Sequence, residues 1–155
     1  MPVIDLLDLT AATPPMTPVF GLDLGEKTIG VAASDLTRAI ASPLALIRRR
    51  KFTLEAEALF DLMDGRGATG LVIGLPMNMD GTEGVRCQSN RAFARHLMRL
   101  RDLPIAFWDE RLSTMAVNRM LIEEADLSRA KRAEVVDRAA AGYILQGALD
   151  RLSRG

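Results

Sequence analysis

Three carboxylates in this chain occupy positions where an acid is costly unless something uses it. The first, Asp23, lies in VFGLDLGEKTIGVAAS (residues 19–34), a run whose apolar content otherwise reads as core strand. Side chains along a strand alternate faces, so Phe20, Leu22 and Leu24 share one face while Val19, Gly21, Asp23 and Gly25 share the other. Asp23 thus stands on a face left bare by two glycines, which would let a phosphate and an ion approach. The competing reading is an aspartate capping the tight turn at Gly25. The second place is Trp108-Asp109-Glu110-Arg111 at a strand end. Alternation sends Asp109 and Glu110 to opposite faces, so only one can join Asp23, and we take Glu110; both could instead be solvated acids pairing with Arg111. The third is Asp137, on a helical stripe with Ala133, Ala140, Ala141, Ile144, Ala148 and Leu152. An acid on an inward stripe of small apolar residues needs a cation, either an arginine or a metal.

Carboxylates gathered within about 4 Å repel by roughly 4 kcal/mol per pair at an effective dielectric near 20. A divalent cation relieves that repulsion, and an oxygen-only donor set selects Mg²⁺ or Mn²⁺. One or two such ions suit phosphodiester hydrolysis, in which paired metals about 3.5 to 4 Å apart activate water and stabilise the leaving oxygen. Other chemistries lack their residues. One histidine, His96, and one cysteine, Cys87, leave no room for a His-based triad, a multi-His metal site or a disulfide. We read Cys87 as a small core residue, in keeping with a reducing cytoplasm, and His96 as an exposed helix residue.

The elements that must position these acids fit one domain. The 155 residues are 48% hydrophobic and 26% charged, enough to bury a core without disulfides or metal. Twenty basic residues balance twenty acidic ones, so any nucleic-acid contact must come from a local patch. No apolar run reaches membrane-spanning length, and the N-terminal MPVIDLLDLT has the wrong charge order for a secretory signal. TAATPPMTP (10–18) reads as a linker, which makes 1–18 an N-terminal arm and 19–155 the folded domain. The leucines of IDLLDL could dock on the domain or on a partner. Strands are predicted at 19–24, 28–34 and 43–49 as an antiparallel meander, and at 71–76 and 105–110 as parallel strands. Helices are predicted at 53–64, with Thr53 as N-cap and Gly65 as stop, and at 83–100, 114–123 and 132–152. The order is βββαβαβαα. Residues 124–132 read as a mobile loop able to close over nucleic acid.

Candidate substrate contacts surround the acids. Asn78 lies in MNMDGTEG (77–84), a loop leading into a helix N-terminus where free backbone N–H groups can hold an anion; a turn-stabilising Asn78 with Thr82 as helix cap is equally compatible. Arg49 and Arg50 belong to the RRRK cluster at 48–51, four cations suited to a phosphate backbone. Arg111, beside the acidic pair, could meet the scissile phosphate. Arg91, Arg95 and Arg99 form a helical stripe better read as a solvated face.

Four blocks, GLDLGEKTIGVAASD, VIGLPMNMDGTEG, DERLST and VVDRAAAGYIL, occur together in an order that resembles the YqgF (RuvX) family of RNase H-like nucleases, described as Holliday junction resolvases and as pre-16S rRNA nucleases. The resemblance covers 19 to about 150. It implies an α/β, RNase H-like fold with a mixed five-stranded sheet flanked by helices, and an acidic metal site at Asp23, Glu110 and Asp137 holding Mg²⁺ or Mn²⁺. It also implies a cytoplasmic endonuclease acting on structured RNA, with maturation of the 16S precursor, in a ribosomal precursor particle, ahead of branched DNA. Thr28 stands where the family often has arginine and Glu26 where it often has threonine, so Lys27 is the remaining hairpin cation for phosphate. Two other classes are an rRNA-binding assembly factor without catalysis and, on the D-L-G hairpin alone, an ATP-binding domain. A single domain offers no second phosphate loop for the latter.

Overall fold

The computed structural model describes residues 3–112 and 129–154, and for 129–138 the backbone only. Five strands, β1 (Phe20–Leu24), β2 (Thr28–Ser34), β3 (Ala41–Arg48), β4 (Leu71–Leu75) and β5 (Ile105–Asp109), form one sheet in the order β3-β2-β1-β4-β5. Three residues separate β1 from β2, so the chain can only fold back, and β1-β2-β3 is an antiparallel meander. β4 and β5 each follow a helix, α2 (Phe52–Arg66) and α3 (Val85–Leu100), which carries the chain back across the sheet and makes β1-β4 and β4-β5 parallel. A short α1 (Leu9–Ala12) precedes the sheet, and α4 (Arg129–Ser153) closes the chain.

Strand alternation sorts the core into two layers. Phe20, Leu22 and Leu24 meet Ile73, Ile105, Leu59, Met63, Phe93 and Leu97 on the face covered by α2 and α3. On the opposite face Val19 and Val72 meet Ala141, Ile144, Leu145, Ala148 and Leu149 of α4, so the inward stripe predicted for that helix is apolar along its described part. Full burial of each Leu or Ile there contributes about 1.5 to 3 kcal/mol. Cys87 is a buried free thiol in α3, and His96 is exposed with its ring edge against Phe52.

Several boundaries differ from the sequence expectation for identifiable reasons. β3 begins at Ala41, two residues early, because Ala33 and Ser34 of β2 supply partners for Ser42 and Ala41. α2 is not capped by Thr53. Its cap position is Lys51, with no side-chain cap bond, and the buried Glu55 reaches back to accept the Arg50 N–H at 2.9 Å. Gly65 does not stop that helix; Gly67 does, at φ 71°, and Ala68 N–H then bonds Met63 O at 2.9 Å. Thr82 does not cap α3 either: its hydroxyl bonds Asp80, and the cap position is Gly84. The helix predicted at 114–123 lies outside the described residues, as do 124–128 of the predicted loop, whereas 129–132 of that loop are already helix α4.

The N-terminal arm docks on its own domain. Ile4 N–H bonds Ile105 O at 3.0 Å, and Leu9 is fully buried in the α4-side layer. Thr13 Oγ1 closes the arm by donating to Leu9 O at 2.8 Å. Arg38 fastens the linker through the carbonyls of Thr17 (2.9 Å) and Pro14 (3.1 Å).

Candidate nuclease site

The parallel arrangement brings the C-terminal ends of β1, β4 and β5 to one edge of the sheet, where open α/β sheets place ligands. Leu22 pairs with Ile73, so Asp23 and Gly74 are one step further along neighbouring strands, and Gly74 pairs with Trp108. Glu110, in the single 3-10 turn (Glu110–Leu112) that follows β5, fills the space over Gly74. A Cβ on Gly74 would lie 2.8 Å from Glu110 Cγ, 2.9 Å from its Cδ and 2.7 Å from Ile144 Cδ1. Gly74 is therefore the floor on which the Glu110 carboxyl rests, beneath α4 and beside Asp23. From β4's other face, the buried Asn90 of α3 donates to Gly74 O at 2.8 Å and fixes that floor.

The electrostatics single Glu110 out. Burial, then the nearby Asp23 carboxylate and, less, Asp109, push its carboxyl up to about 7, against a partial offset from the Arg86 guanidinium. Its sequence neighbour behaves in the opposite sense. Asp109 accepts from Arg111 N–H, Nε and Nη2, the last at 2.6 Å, and these bonds hold it below the usual carboxylate range. Of the two acids at this strand end, Glu110 faces Asp23 and Asp109 is bound to Arg111. Asp137 lies in α4 four residues before Ala141, and its side chain is outside the described residues. Among the described side chains, of which Asp137 is not one, no three His, Cys, Asp or Glu groups converge.

Two glycines have a different role from the one their sequence positions suggested. A Cβ on Gly21 would lie 2.6 Å from Leu145 Cβ, and one on Gly25 would lie 2.9 Å from Thr28 O. Gly21 lets α4 lie directly on β1, and Gly25 lets the hairpin close through its own N–H to Thr28 O. At Gly21 the face that the sequence leaves bare is covered by helix.

The predicted substrate contacts are distributed unevenly. Lys27 is exposed at the hairpin tip, its carbonyl accepting from Arg49 N–H. Asn78 is exposed but turned into its own loop, donating from Nδ2 to Thr82 Oγ1 at 2.9 Å. Arg111, besides holding Asp109, reaches the carbonyls of Asn78 and Met79 at 3.5 and 3.4 Å, so it braces the 77–84 loop against the strand end. Arg49 is bound by local pairing: Nε to Glu55 Oε2 at 2.8 Å and Nη1 to Gly25 O at 2.9 Å. Arg50 has an exposed side chain. Arg91 pairs with Glu83 and lies over the Phe107 ring, while Arg95 and Arg99 are exposed. Arg86 and Asn90 were missed from sequence. They are one helical turn apart on α3, a spacing that signals a shared face but not which face.

A model of the RuvX family, described as Holliday junction resolvase, matches residues 17–151. A protein of Phenylobacterium zucineum is 73% identical over 153 residues, covering 98% of each chain. Its counterpart in Rhodospirillum rubrum is 64% identical over 154 residues, covering 99% of this chain and 96% of its own. Both carry the name "Putative pre-16S rRNA nuclease". Among solved structures, Thermus thermophilus RuvC in complex with a Holliday junction substrate aligns with a TM-score of 0.52 at 9% identity, covering 88% of this chain and 96% of that one. The yeast mitochondrial Holliday junction resolvase Ydc2 aligns at 0.51 and 12%, covering 96% and 86%. These two likenesses are of fold, the RNase H-like sheet with its flanking helices. By the match along its length and the identity to its relatives, the chain belongs to the RuvX family and is, with it, a nuclease.

Proposed function

We propose that the chain is a metal-dependent endonuclease that hydrolyses phosphodiester bonds in maturation of the 5′ end of the 16S ribosomal RNA precursor. The observation that carries the metal reading is the Asp23–Glu110 pair, two acids at adjoining strand ends, of which Glu110 is pushed up to about 7 by burial first and by the Asp23 carboxylate second. The donors are carboxylate oxygens, a set that fits Mg²⁺ or Mn²⁺. Asp23 and Glu110 would hold one or two ions with Asp137 as the third ligand. Such an ion supplies Lewis acidity and neutralises charge on the phosphoryl oxygens. The chain itself supplies rigidity: Gly74 and Asn90 fix the floor beneath Glu110, and Arg111 keeps Asp109 away from it. In-line attack by water would leave 5′-phosphate and 3′-hydroxyl ends.

The rRNA substrate rests on the names of the near relatives, and a ribosomal precursor particle is the corresponding partner, in the cytoplasm. No helix among the described residues is long and apolar enough to cross a membrane. The family description favours a second reading, cleavage of four-way DNA junctions. The test is calorimetric titration of Mn²⁺ and Mg²⁺ into wild type, Asp23→Asn and Asp137→Asn, followed by cleavage of a pre-rRNA fragment and of a synthetic DNA junction. Metal binding and RNA cleavage by wild type, lost in both folded variants, is the expected result. Junction cleavage without RNA cleavage would replace the substrate, and full function in Asp23→Asn would replace the nuclease with an rRNA-binding assembly factor.

A further inference from the structure

Beside the carboxylates, and apart from them, a polar cleft of about 320 Å³ opens between the β1–β2 turn, the β3–α2 junction and the first turns of α3. Its charged and polar walls are unequal. Arg49 and Glu55 cancel each other, and Arg49 is further tied to Gly25 O, so that pair is a fixed wall. Asn90 has its amide committed to Gly74 O. Glu26 is exposed on the hairpin turn. Arg50 and Arg86 are exposed, and among the described residues neither is in an ion pair. Three guanidinium groups against two carboxylates leave the cleft cationic.

Arg86 is the link between this cleft and the acids. Its Nη2 lies 3.4 Å from Leu24 O, the carbonyl next after Asp23, and its charge is felt at Glu110. A polynucleotide whose scissile phosphate lies at Asp23 and Glu110 must carry further phosphates along its backbone, and this cleft is a cationic station for one of them. We propose that the cleft seats a backbone phosphate neighbouring the one that is cut, and that Arg86, with Arg50, is the positioning residue that sets which phosphodiester reaches the carboxylates. This inference rests on the nuclease reading. It adds a backbone subsite that recognises phosphate and not base, and it gives α3 a direct part in choosing the cut.

The experiment uses the full chain, a 5′-labelled pre-rRNA fragment spanning the mature end, and the variants Arg86→Ala, Arg86→Lys and Arg50→Ala, with Arg95→Ala as an exposed control on the same helix. Steady-state kinetics are read over a salt series and product ends are mapped to the nucleotide. Arg86→Ala is expected to raise KM about tenfold, to shallow the slope of log(kcat/KM) against log[salt] by about 0.7 to 0.9, the value of one lost phosphate contact, and to scatter the product ends. Arg86→Lys restores the slope but not the single product end, because an ammonium is a point charge without the guanidinium fork. Arg50→Ala shallows the slope similarly, and Arg95→Ala leaves the ends unchanged. If Arg86→Ala cuts at the wild-type position with the wild-type slope, or loses kcat alone, the subsite is refuted while the nuclease stands. If wild type itself leaves the RNA intact, the nuclease reading on this substrate falls first and the subsite with it.

Discussion

Glu55 and Glu110 are carboxylates in sheltered surroundings at opposite ends of the same problem. Glu55 is 2% exposed and fully answered: the Arg49 guanidinium and the Arg50 N–H both donate to it. Glu110 has a carboxylate, Asp23, close by, rests on a glycine floor, and is pushed up to about 7. The fold bonds a cation directly to Glu55, whereas at Glu110 burial and the Asp23 carboxylate outweigh the offset from the Arg86 guanidinium. On the proposed function that difference separates a carboxylate used for architecture from one kept for a ligand, and Asp109, one residue from Glu110 and bound by Arg111, repeats the contrast at closer range.

The contrast can be broken in order of effect. Asp23→Asn and Glu110→Gln should each lower cleavage of the pre-rRNA fragment by about 10³-fold or more while the proteins stay folded, read by single-turnover assays with circular dichroism. Gly74→Ala raises the floor under Glu110, and an ångström of misplacement should lower kcat about 10²-fold with about 1 to 3 kcal/mol lost in urea unfolding. Glu55→Gln should act the other way round, reducing stability by about 2 kcal/mol, since its partner Arg49 is partly exposed, and leaving kcat near wild type. Asp109→Asn should reduce activity less than tenfold, through a looser Arg111 brace.

The pH dependence sharpens the same contrast. Glu110 has its folded value raised from 4.5 to about 7, so the metal-free folded protein holds that proton more tightly than the unfolded chain. The stability it contributes is complete below 4.5 and is lost as pH rises to about 7. Thermal unfolding of metal-free protein should fall by a few degrees across that window, less in Asp23→Asn, and saturating Mg²⁺ should reverse the fall. Metal binding at pH 6 should release close to one proton and at pH 8 almost none, measured by calorimetry in buffers of different ionisation enthalpy.

Strands were legible because their apolar runs are short and bounded by glycine and proline, whereas strand alternation showed only that one of Asp109 and Glu110 could join Asp23, and did not say which. The parallel adjacency of β1 and β4 was not legible, since apolar runs mark a strand as buried but do not say which strands are its neighbours. What failed had tertiary causes. Gly21 was read as space for a phosphate, yet only the path of α4 reveals that Leu145 needs the room. Arg49 was read as a free cation because nothing in RRRK shows that a glutamate six positions on turns back to meet it. Arg86 and Asn90 belong to no motif; they matter because α3 lies across the ends of β1 and β4.

The two sides of the sheet end differently. β3, at one margin, carries its own interruption: Pro43, which lacks an N–H to offer, and a register shift opposite Val31 and Ala32. β5, at the other, is a regular apolar strand, and there the arm lays Ile4 against Ile105 O. An unprotected strand of that kind recruits a second sheet by the same ladder that built the first. Residues 3–9 are thus a guard against self-association as much as an anchor. A chain trimmed before Leu9 should keep Asp23 and Glu110 in place and yet come out of solution as aggregates joined through β5.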